Sequence, residues 1–391
     1  MIGWFVESRS SVSVRAGSYV KQPAGYVAFH PASFPPADLQ LSPALVGSLS
    51  RADQALARLD GAASVIPDVD LFTTMYIRDE ATRSSQIEGT QATLADVVEA
   101  EVSRLNDERR DAVAEIQNYI TALDLGLRRL ADLPVSLRLL REIHAELMSG
   151  VRGGTADRTP GEFRRTQNWI GGSSPSNARF VPPPVEQMQA ALHEWEVAIH
   201  ADDDLPVLVK IGLLHAQFET IHPFIDGNGR VGRLLITFLL TEWGVLRHPL
   251  LYLSGFLRRH VDEYYRRLQA IRDDGDWEGW LVFFLDGVTD TATEAATTVR
   301  TILDLRERDR QRIAKLGQRA ANAYRLHDHL FSAPLTTAAD VQDTLEVSQP
   351  TANRLLRDLG TVGILTEVTG RPRHQRWLYG DYLALFRPSD R

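Results

Sequence analysis

His222-Pro-Phe-Ile-Asp226-Gly227-Asn228-Gly229-Arg230-Val-Gly-Arg233 is the stretch on which the reading of this chain turns. Two glycines flank Asn228 at the entrance to a helix patterned by Leu234, Leu235, Phe238 and Leu239. Glycine lets the backbone turn tightly and approach a ligand closely, and the N–H groups that open a helix form an anion site. Arg230 and Arg233 are three apart and share a helix face. Two guanidiniums beside an anion site suit a polyphosphate. Asp226 adds a carboxylate, and one carboxylate plus phosphate oxygens is a usual way of holding Mg²⁺. His222, neutral near pH 7, is a natural acceptor for a hydroxyl proton. Base, metal ligand, anion site and charge clamp fall together in one short run and describe nucleotidyl or phosphoryl transfer.

Outward from this run the chain is mostly helical. Helical patterning covers Pro206–Ile221 before it and Arg230–Trp243 after it, with another helical block over 257–285. Upstream, one helix is expected from about Asp68 to Glu88, ended by Gly89, and another starts at Thr93-Leu-Ala-Asp96. Val113, Ile116, Ile120, Leu123, Leu127 and Leu130 mark one face of a packed helix, and Leu137, Leu140, Ile143 and Leu147 mark the next. Residues 150–185 are rich in Gly, Ser, Pro and Asn, with extended pieces at 168–170 and 178–181, and read as a β-hairpin. Residues 1–40 read as irregular and extended. His215 shares a helix face with His222, but its spacing with Glu219 fits no zinc pattern, so it reads as structural.

The last segment differs. A helix at Thr337–Leu345, a tight turn, a second helix from Ser348 through Leu359 and two short β-like runs at Ile364–Val368 and Gln375–Tyr379 make a winged helix-turn-helix pattern. Residues 349–378 carry Arg354, Arg357, Arg371, Arg373 and Arg376 against Asp358 and Glu367. Gln349, Thr351, Asn353 and Arg357 are placed to face a major groove, with Arg371 and Arg373 on the wing. Protein docking is the other use of such a module.

Bulk composition bounds these readings. The chain has 391 residues, 43% hydrophobic and 24% charged, with formal net charge −8 and no cysteine. Bulk coating of nucleic acid, disulfides and thiolate chemistry are thereby excluded. No apolar run is long enough for a membrane span, and Met1–Ser8 has no signal-peptide pattern. A cytoplasmic protein is expected.

The run at His222 resembles the Fic family signature, His-x-Phe-x-(Asp/Glu)-Gly-Asn-Gly-Arg-x-x-Arg, with every fixed position filled. The resemblance implies a protein adenylyltransferase that moves AMP from Mg-ATP to a Ser, Thr or Tyr hydroxyl. His222 would be its base and Asp226 its Mg²⁺ ligand. Gly227, Asn228 and Gly229 would cradle phosphates, and Arg230 and Arg233 would bind the β- and γ-phosphates. Ser84-Ser-Gln-Ile-Glu88-Gly89 resembles the family's inhibitory motif, in which Glu88 would pair with Arg233; Ser84 and Glu88, four apart, are expected on one helix face. The 164–183 hairpin resembles the family's flap, with Ile170, Gly171, Phe180 and Val181 expected to register the target strand. Tyr264 and Tyr265 fall where the family places tyrosines near adenine, but Arg272 stands where an Asn is common. The expected division is an N-terminal helical region with the inhibitory motif (1–126), a Fic core (127–285), a connecting helix (286–330) and the winged helix (331–391). Expected partners are a protein target, which includes the chain itself, duplex DNA at the last segment, and a second copy of the chain. The alternatives on the same residues are a nucleotide-sensing winged-helix regulator and a de-AMPylase using Glu88.

Overall fold

The computed structural model describes residues 15–64, 66, 69–102, 107–150 and 159–386; the expectations for 1–14 and 151–158 lie outside them. In chain order the elements are β1 (Gly17–Lys21), β2 (Val27–Pro31), α1 (Pro43–Ala63), α2 (Val69–Ile87), α3 (Leu94–Val102), α4 (Asp107–Arg129), α5 (Leu137–Leu147), α6 (Val185–His200), α7 (Val207–Ile221) and α8 (Asn228–Glu242). Then come α9 (Ser254–Arg259), α10 (Val261–Asp274), α11 (Trp277–Ala314), α12 (Ala320–His329), β3 (Leu335–Thr337), α13 (Ala338–Leu345), α14 (Gln349–Thr361), β4 (Thr366–Glu367), β5 (Arg376–Leu378) and α15 (Gly380–Leu383).

Two compact units form, each discontinuous in sequence. One comprises 1–55, 121–245 and 253–290; the other 56–120, 246–252 and 291–391. The first expected segment therefore contributes to both, and the helix expected to begin near 288 is the continuation of α11, which starts at Trp277.

The first unit is built around α7 and α8. From Leu208 every described side chain of α7 to Ile221 is buried or nearly so, including His215, Gln217 and Glu219. A helix apolar or internally bonded on every side belongs in a core. Trp195 of α6 and Trp280 of α11 each donate an indole N–H to a carbonyl of α7, Leu214 and Gly212 respectively. α5 begins at Ser136, whose hydroxyl accepts the Leu139 N–H, and buries Leu139, Leu140, Ile143 and Leu147 on the face expected from their spacing. Gly126 of α4 lets the Phe238 ring of α8 approach so closely that a Cβ there would lie 2.2 Å from Cζ.

In the second unit α3 opens with the expected capping box: Asp96 Oδ2 accepts the Thr93 N–H at 2.9 Å while Thr93 Oγ1 accepts the Asp96 N–H at 3.2 Å. α13 opens the same way at Thr337 and Asp340. Helix α12, strand β3, helices α13 and α14, and strands β4 and β5 follow in order, with the sheet ordered β3-β5-β4 and antiparallel throughout. The two helices and two short strands expected there are present as α13, α14, β4 and β5, and β3, which pairs with β5, was not expected. Ala352, Leu355, Leu356 and Leu359 of α14 join Leu326, Phe331, Val341, Trp377 and Tyr382 in one apolar core.

Candidate active site

The site is made where α7 ends and α8 begins. Phe218 C=O accepts the His222 N–H at 2.9 Å, and His222 then turns left-handed (φ 50°, ψ 61°), an uncommon conformation for a residue with a Cβ. The turn persists because its carbonyls are held from outside. Buried Arg164 donates through Nε to His222 O at 3.0 Å and through its other nitrogens to Thr166 O and Pro183 O, while Pro223 O accepts the Arg164 N–H at 2.8 Å. Asn168 Nδ2 donates to His222 O at 3.2 Å and to Phe224 O at 2.8 Å. Burial pulls the Arg164 guanidinium down to about 10, which leaves it charged at neutral pH.

The His222 ring is 18% exposed, but its Nδ1 is buried, 3.9 Å from Glu219 Oε2 and without a hydrogen bond among the described residues. Burial first, then the charges of Arg272 and Arg164, push its pKa down to about 3. The ring is therefore neutral and able to accept a proton.

Asn228 closes the turn rather than facing outward. Its Oδ1 accepts the Phe224 N–H and its Nδ2 donates to Phe224 O, both at 2.8 Å. Of the expected phosphate cradle, Asn228 can thus offer only main chain. Gly227 caps α8 in the left-handed region (φ 79°), where a Cβ would meet Met148 Sδ at 3.0 Å and His144 Cδ2 at 3.4 Å. Asp226 Oδ1 accepts the Gly227 N–H at 2.7 Å. Arg230 is buried at the first turn: Nη2 lies 3.9 Å from Asp226 Oδ1 and 3.7 Å from Met148 Sδ, and Nε has no hydrogen-bond partner among the described residues. A buried guanidinium with an unmet donor, at the N-terminus of a fifteen-residue helix, is arranged for an anion. Arg233, one turn on, is also buried.

Asp226 retains a side chain 36% exposed beside this cradle. No group of three or more His, Asp or Glu able to hold a metal occurs among the described residues. A hard divalent cation fits here as Mg²⁺ usually does, through one carboxylate and the oxygens of a bound phosphate.

Several supports escaped the sequence reading. His144 of α5 accepts the Gly161 N–H at Nδ1 (2.9 Å), which fixes the other nitrogen as the donor to Asp226 O (3.0 Å). Its ring stacks on Phe224 with centroids 3.8 Å apart and 6° between planes, and burial pushes its pKa down to about 4. His144 lies on the same face as Leu140 and Leu147, where a histidine among leucines was the available signal. Arg272 donates to Glu219 O at 3.1 Å and lies 3.8 Å over the Phe180 ring. It ties the end of α7 to the 170–181 loop instead of reading a base.

Three expectations need correction. Tyr264 cannot stack on adenine: it is 1% exposed, donates its hydroxyl to His215 Nε2 at 3.0 Å and packs against Trp280. His215 Nδ1 donates in turn to Gly232 O, so His215 is structural, as its spacing suggested. Tyr265, 37% exposed, keeps an accessible ring. The flap is a loop with a single bridge, Ile170–Phe180, not a two-stranded ladder. Phe180 and Val181 are buried, and Val181 O already accepts the Phe29 N–H of β2 at 2.9 Å, so that edge is taken. Finally, Ser84 and Glu88 do not share a helix face. Ser84 is fully buried in α2, whereas Glu88 is exposed, one residue beyond the helix end, in a turn where Gly89 adopts φ 100° and Ser85 O accepts the Glu88 and Thr90 N–H groups. Both belong to the second unit; His222, Asp226, Gly227, Gly229, Arg230 and Arg233 belong to the first.

Comparison with known proteins agrees with this geometry. Residues 46–128 match the Fic/DOC family N-terminal region and residues 134–240 the Fic/DOC family domain. Over 203 residues, 51% of this chain, it is 29% identical to the protein adenylyltransferase Fic of Drosophila grimshawi; over 155 residues it is 30% identical to that of Culex quinquefasciatus. The match spans 39% and 27% of those relatives' own lengths. The fold is shared with a Fic family protein from Desulfovibrio desulfuricans (TM-score 0.56, 21% identity, 87% of this chain and 97% of that one). It is also shared with a Fic-domain signaling protein from Bacteroides thetaiotaomicron (TM-score 0.53, 16% identity, 64% of this chain and 95% of that one). With both regions in order and the signature placed at the turn from α7 into α8, the chain carries a Fic/DOC N-terminal region followed by a Fic/DOC domain.

Proposed function

We propose that this chain transfers AMP from ATP to a hydroxyl of a protein target and that Glu88 restrains the reaction. The observation that carries the reading is the buried guanidinium of Arg230, with an unmet Nε donor, at the capped N-terminus of α8 beside a neutral, half-buried His222. An anion cradle next to a base is what attack of a hydroxyl on a phosphoryl group needs.

In this reading the main-chain N–H groups of residues 228–230, Arg230 and Arg233 bind the triphosphate. The target oxygen bonds to the α-phosphorus, the bond from that phosphorus to the bridging oxygen breaks, and pyrophosphate leaves with the electron pair. The hydroxyl proton passes to His222. Its Nδ1 is buried toward Glu219, so Nε2 is the accepting atom. Mg²⁺, held by Asp226 and phosphate oxygens, would offset phosphate charge. The low pKa of His222 ensures a deprotonated base, and triphosphate charge nearby raises its basicity once substrate is bound.

The target strand would pair along Trp169. The N–H and C=O of Ile170 are spent on Phe180 and Arg179, and Gly171 turns left-handed, so the exposed Trp169 side of the bridge is the part left for a target strand. Restraint by Glu88 rests on the resemblance of Ser84–Gly89 to the inhibitory motif and on the exposed position of the Glu88 carboxylate.

Intact-mass analysis after incubation with Mg-ATP tests both claims. Glu88→Gly should gain whole AMP additions, on itself or an added protein, faster than the parent, and Glu88→Gly combined with His222→Ala should gain none. No addition by Glu88→Gly, with ATP shown to bind, would overturn the transfer reading. Equal rates for parent and Glu88→Gly would overturn the restraint alone. Removal of AMP from a modified protein by the parent, lost in Glu88→Gly, would favour de-AMPylation.

A further inference from the structure

The second unit carries a charged surface that the transfer site does not use. On α14, Ala352, Leu355, Leu356 and Leu359 face the core, while Pro350, Arg354, Arg357 and Thr361, three or four apart, form an exposed stripe. The loop from β4 to β5 adds exposed Arg371 and Arg373, and the next residue, His374, is left-handed (φ 55°) and also exposed.

The charges on this module divide unequally. Among its acids, Asp340 is spent in the cap of α13, Asp358 pairs with Arg319, Asp381 with Arg308, and Glu367 accepts the Thr369 and Gly370 N–H groups that shape the loop. Asp343 remains exposed on α13, and Glu346 in the turn between α13 and α14. Among its arginines Arg376 pairs with Glu99, while Arg354, Arg357, Arg371 and Arg373 have no carboxylate partner among the described residues. Arg357 Nε donates to Asn353 O, which lays its side chain along the helix. In a chain of net charge −8, four exposed cations without carboxylates on one helix and the adjoining loop are not explained by stability. Asn353 and Thr351, half-buried at the start of the same helix, and exposed Gln349 add neutral donors and acceptors.

We infer that α14 and the β4–β5 loop form a binding surface for duplex DNA, with Arg354, Arg357, Arg371 and Arg373 on phosphates and Gln349 and Asn353 toward base edges. A helix whose outer face is cationic and amide-bearing, next to a basic loop, offers phosphate contacts from the arginines and groove contacts from the helix. Charge complementarity selects a polyanion; the amides on the helix's first turns select a groove over an acidic peptide.

The test uses the full chain with His222→Ala, so that self-modification does not intrude. Anisotropy of a labelled random-sequence duplex of about two helical turns is followed from about 50 to 200 mM salt. Four phosphate contacts at about 0.9 each give a log–log slope near −3.6, so affinity should fall about 150-fold across that range. Arg354→Gln, Arg357→Gln, Arg371→Gln and Arg373→Gln together should abolish binding at the lowest salt. Arg58→Gln, which also removes an arginine from the second unit, should not. All four sites are exposed, and a thermal melt checks folding; the two pairs, one on the helix and one on the loop, are measured separately in case the fourfold variant does not fold. Absence of binding at the lowest salt, a fourfold or paired variant that binds as the parent does, or equal competition by polyglutamate would each overturn the proposal.

Discussion

His144→Phe isolates what holds the phosphate cradle. Phenylalanine keeps the stack on Phe224, now 3.8 Å between centroids, and removes only the two ring-nitrogen hydrogen bonds, to the Gly161 N–H at 2.9 Å and Asp226 O at 3.0 Å. Each is worth about 1 kcal/mol net, and leaving a buried partner unmet raises the loss. The sum is about 2–4 kcal/mol, or about 6–12 °C for the transition of a unit this size. The functional cost follows from position. Asp226 O belongs to the peptide whose nitrogen opens the α8 cap, so its release unfixes the N–H groups proposed to meet phosphate. Nucleotide affinity should fall at least fivefold, equivalent to about 1 kcal/mol. Differential scanning calorimetry and titration of ATP into the His222→Ala background measure the two effects apart. A melting shift within about 2 °C together with unchanged ATP affinity would refute the claim that His144 fixes this peptide.

Four other outcomes are expected. Gly126→Ala pits a helix-propensity gain of about 1 kcal/mol against a Cβ 2.2 Å from Phe238 Cζ; overpacking should win and destabilise by about 1–3 kcal/mol, read by urea unfolding. Arg164→Met should cost about 2–4 kcal/mol because it strands the Pro183 and Thr166 carbonyls and leaves His222 O only the Asn168 amide, and a melt unchanged from the parent would contradict it. Acid should destabilise: buried His144, His215 and His327 have folded pKa values near 4, below the unfolded 6.5. The unfolded chain thus binds more protons, and each histidine removes about 1.4 kcal/mol per unit as pH falls through that window; a melting temperature flat from pH 7 to about 4.5 would oppose this. The acid limb of AMP transfer by Glu88→Gly, as kcat/KM, should lie well below the ordinary histidine pKa, because His222 is held near 3 in the free chain.

Much of this was legible in the sequence for definable reasons. The helix start at Thr93 was readable because a short polar side chain next to an apolar period has one cheap use, whereas Ser348, read as a start in the same way, makes no side-chain cap. The cradle was readable because Gly227 and the arginines are adjacent in sequence. What was not readable depended on distant partners. The role of Arg164 requires knowing that Pro183, Thr166 and His222 converge on it. Tyr264 was misplaced because a tyrosine on an amphipathic helix faces core or ligand with equal pattern; only the His215 nitrogen and Trp280 decide it. The flap was overread as a ladder because extended pieces pair with whatever edge is near, and here part of that pairing goes to Phe29.

These partners also explain how the histidine proposed as base can be left with an unmet ring nitrogen. A side chain is ordinarily oriented by its own hydrogen bonds, but each bond made by His222 Nδ1 would shift its basicity. Here orientation is supplied through the main chain instead. Arg164 and Asn168 converge on the His222 carbonyl, Asn228 and Asn168 clamp Phe224, and the left-handed turn fixes where Cβ points. The ring is then aimed by its backbone, and its chemistry is set by burial and by two neighbouring guanidiniums. Substitutions at Arg164 or Asn168 should therefore misplace the base without touching it, lowering kcat more than the affinity for ATP, whereas loss of Arg230 should do the reverse.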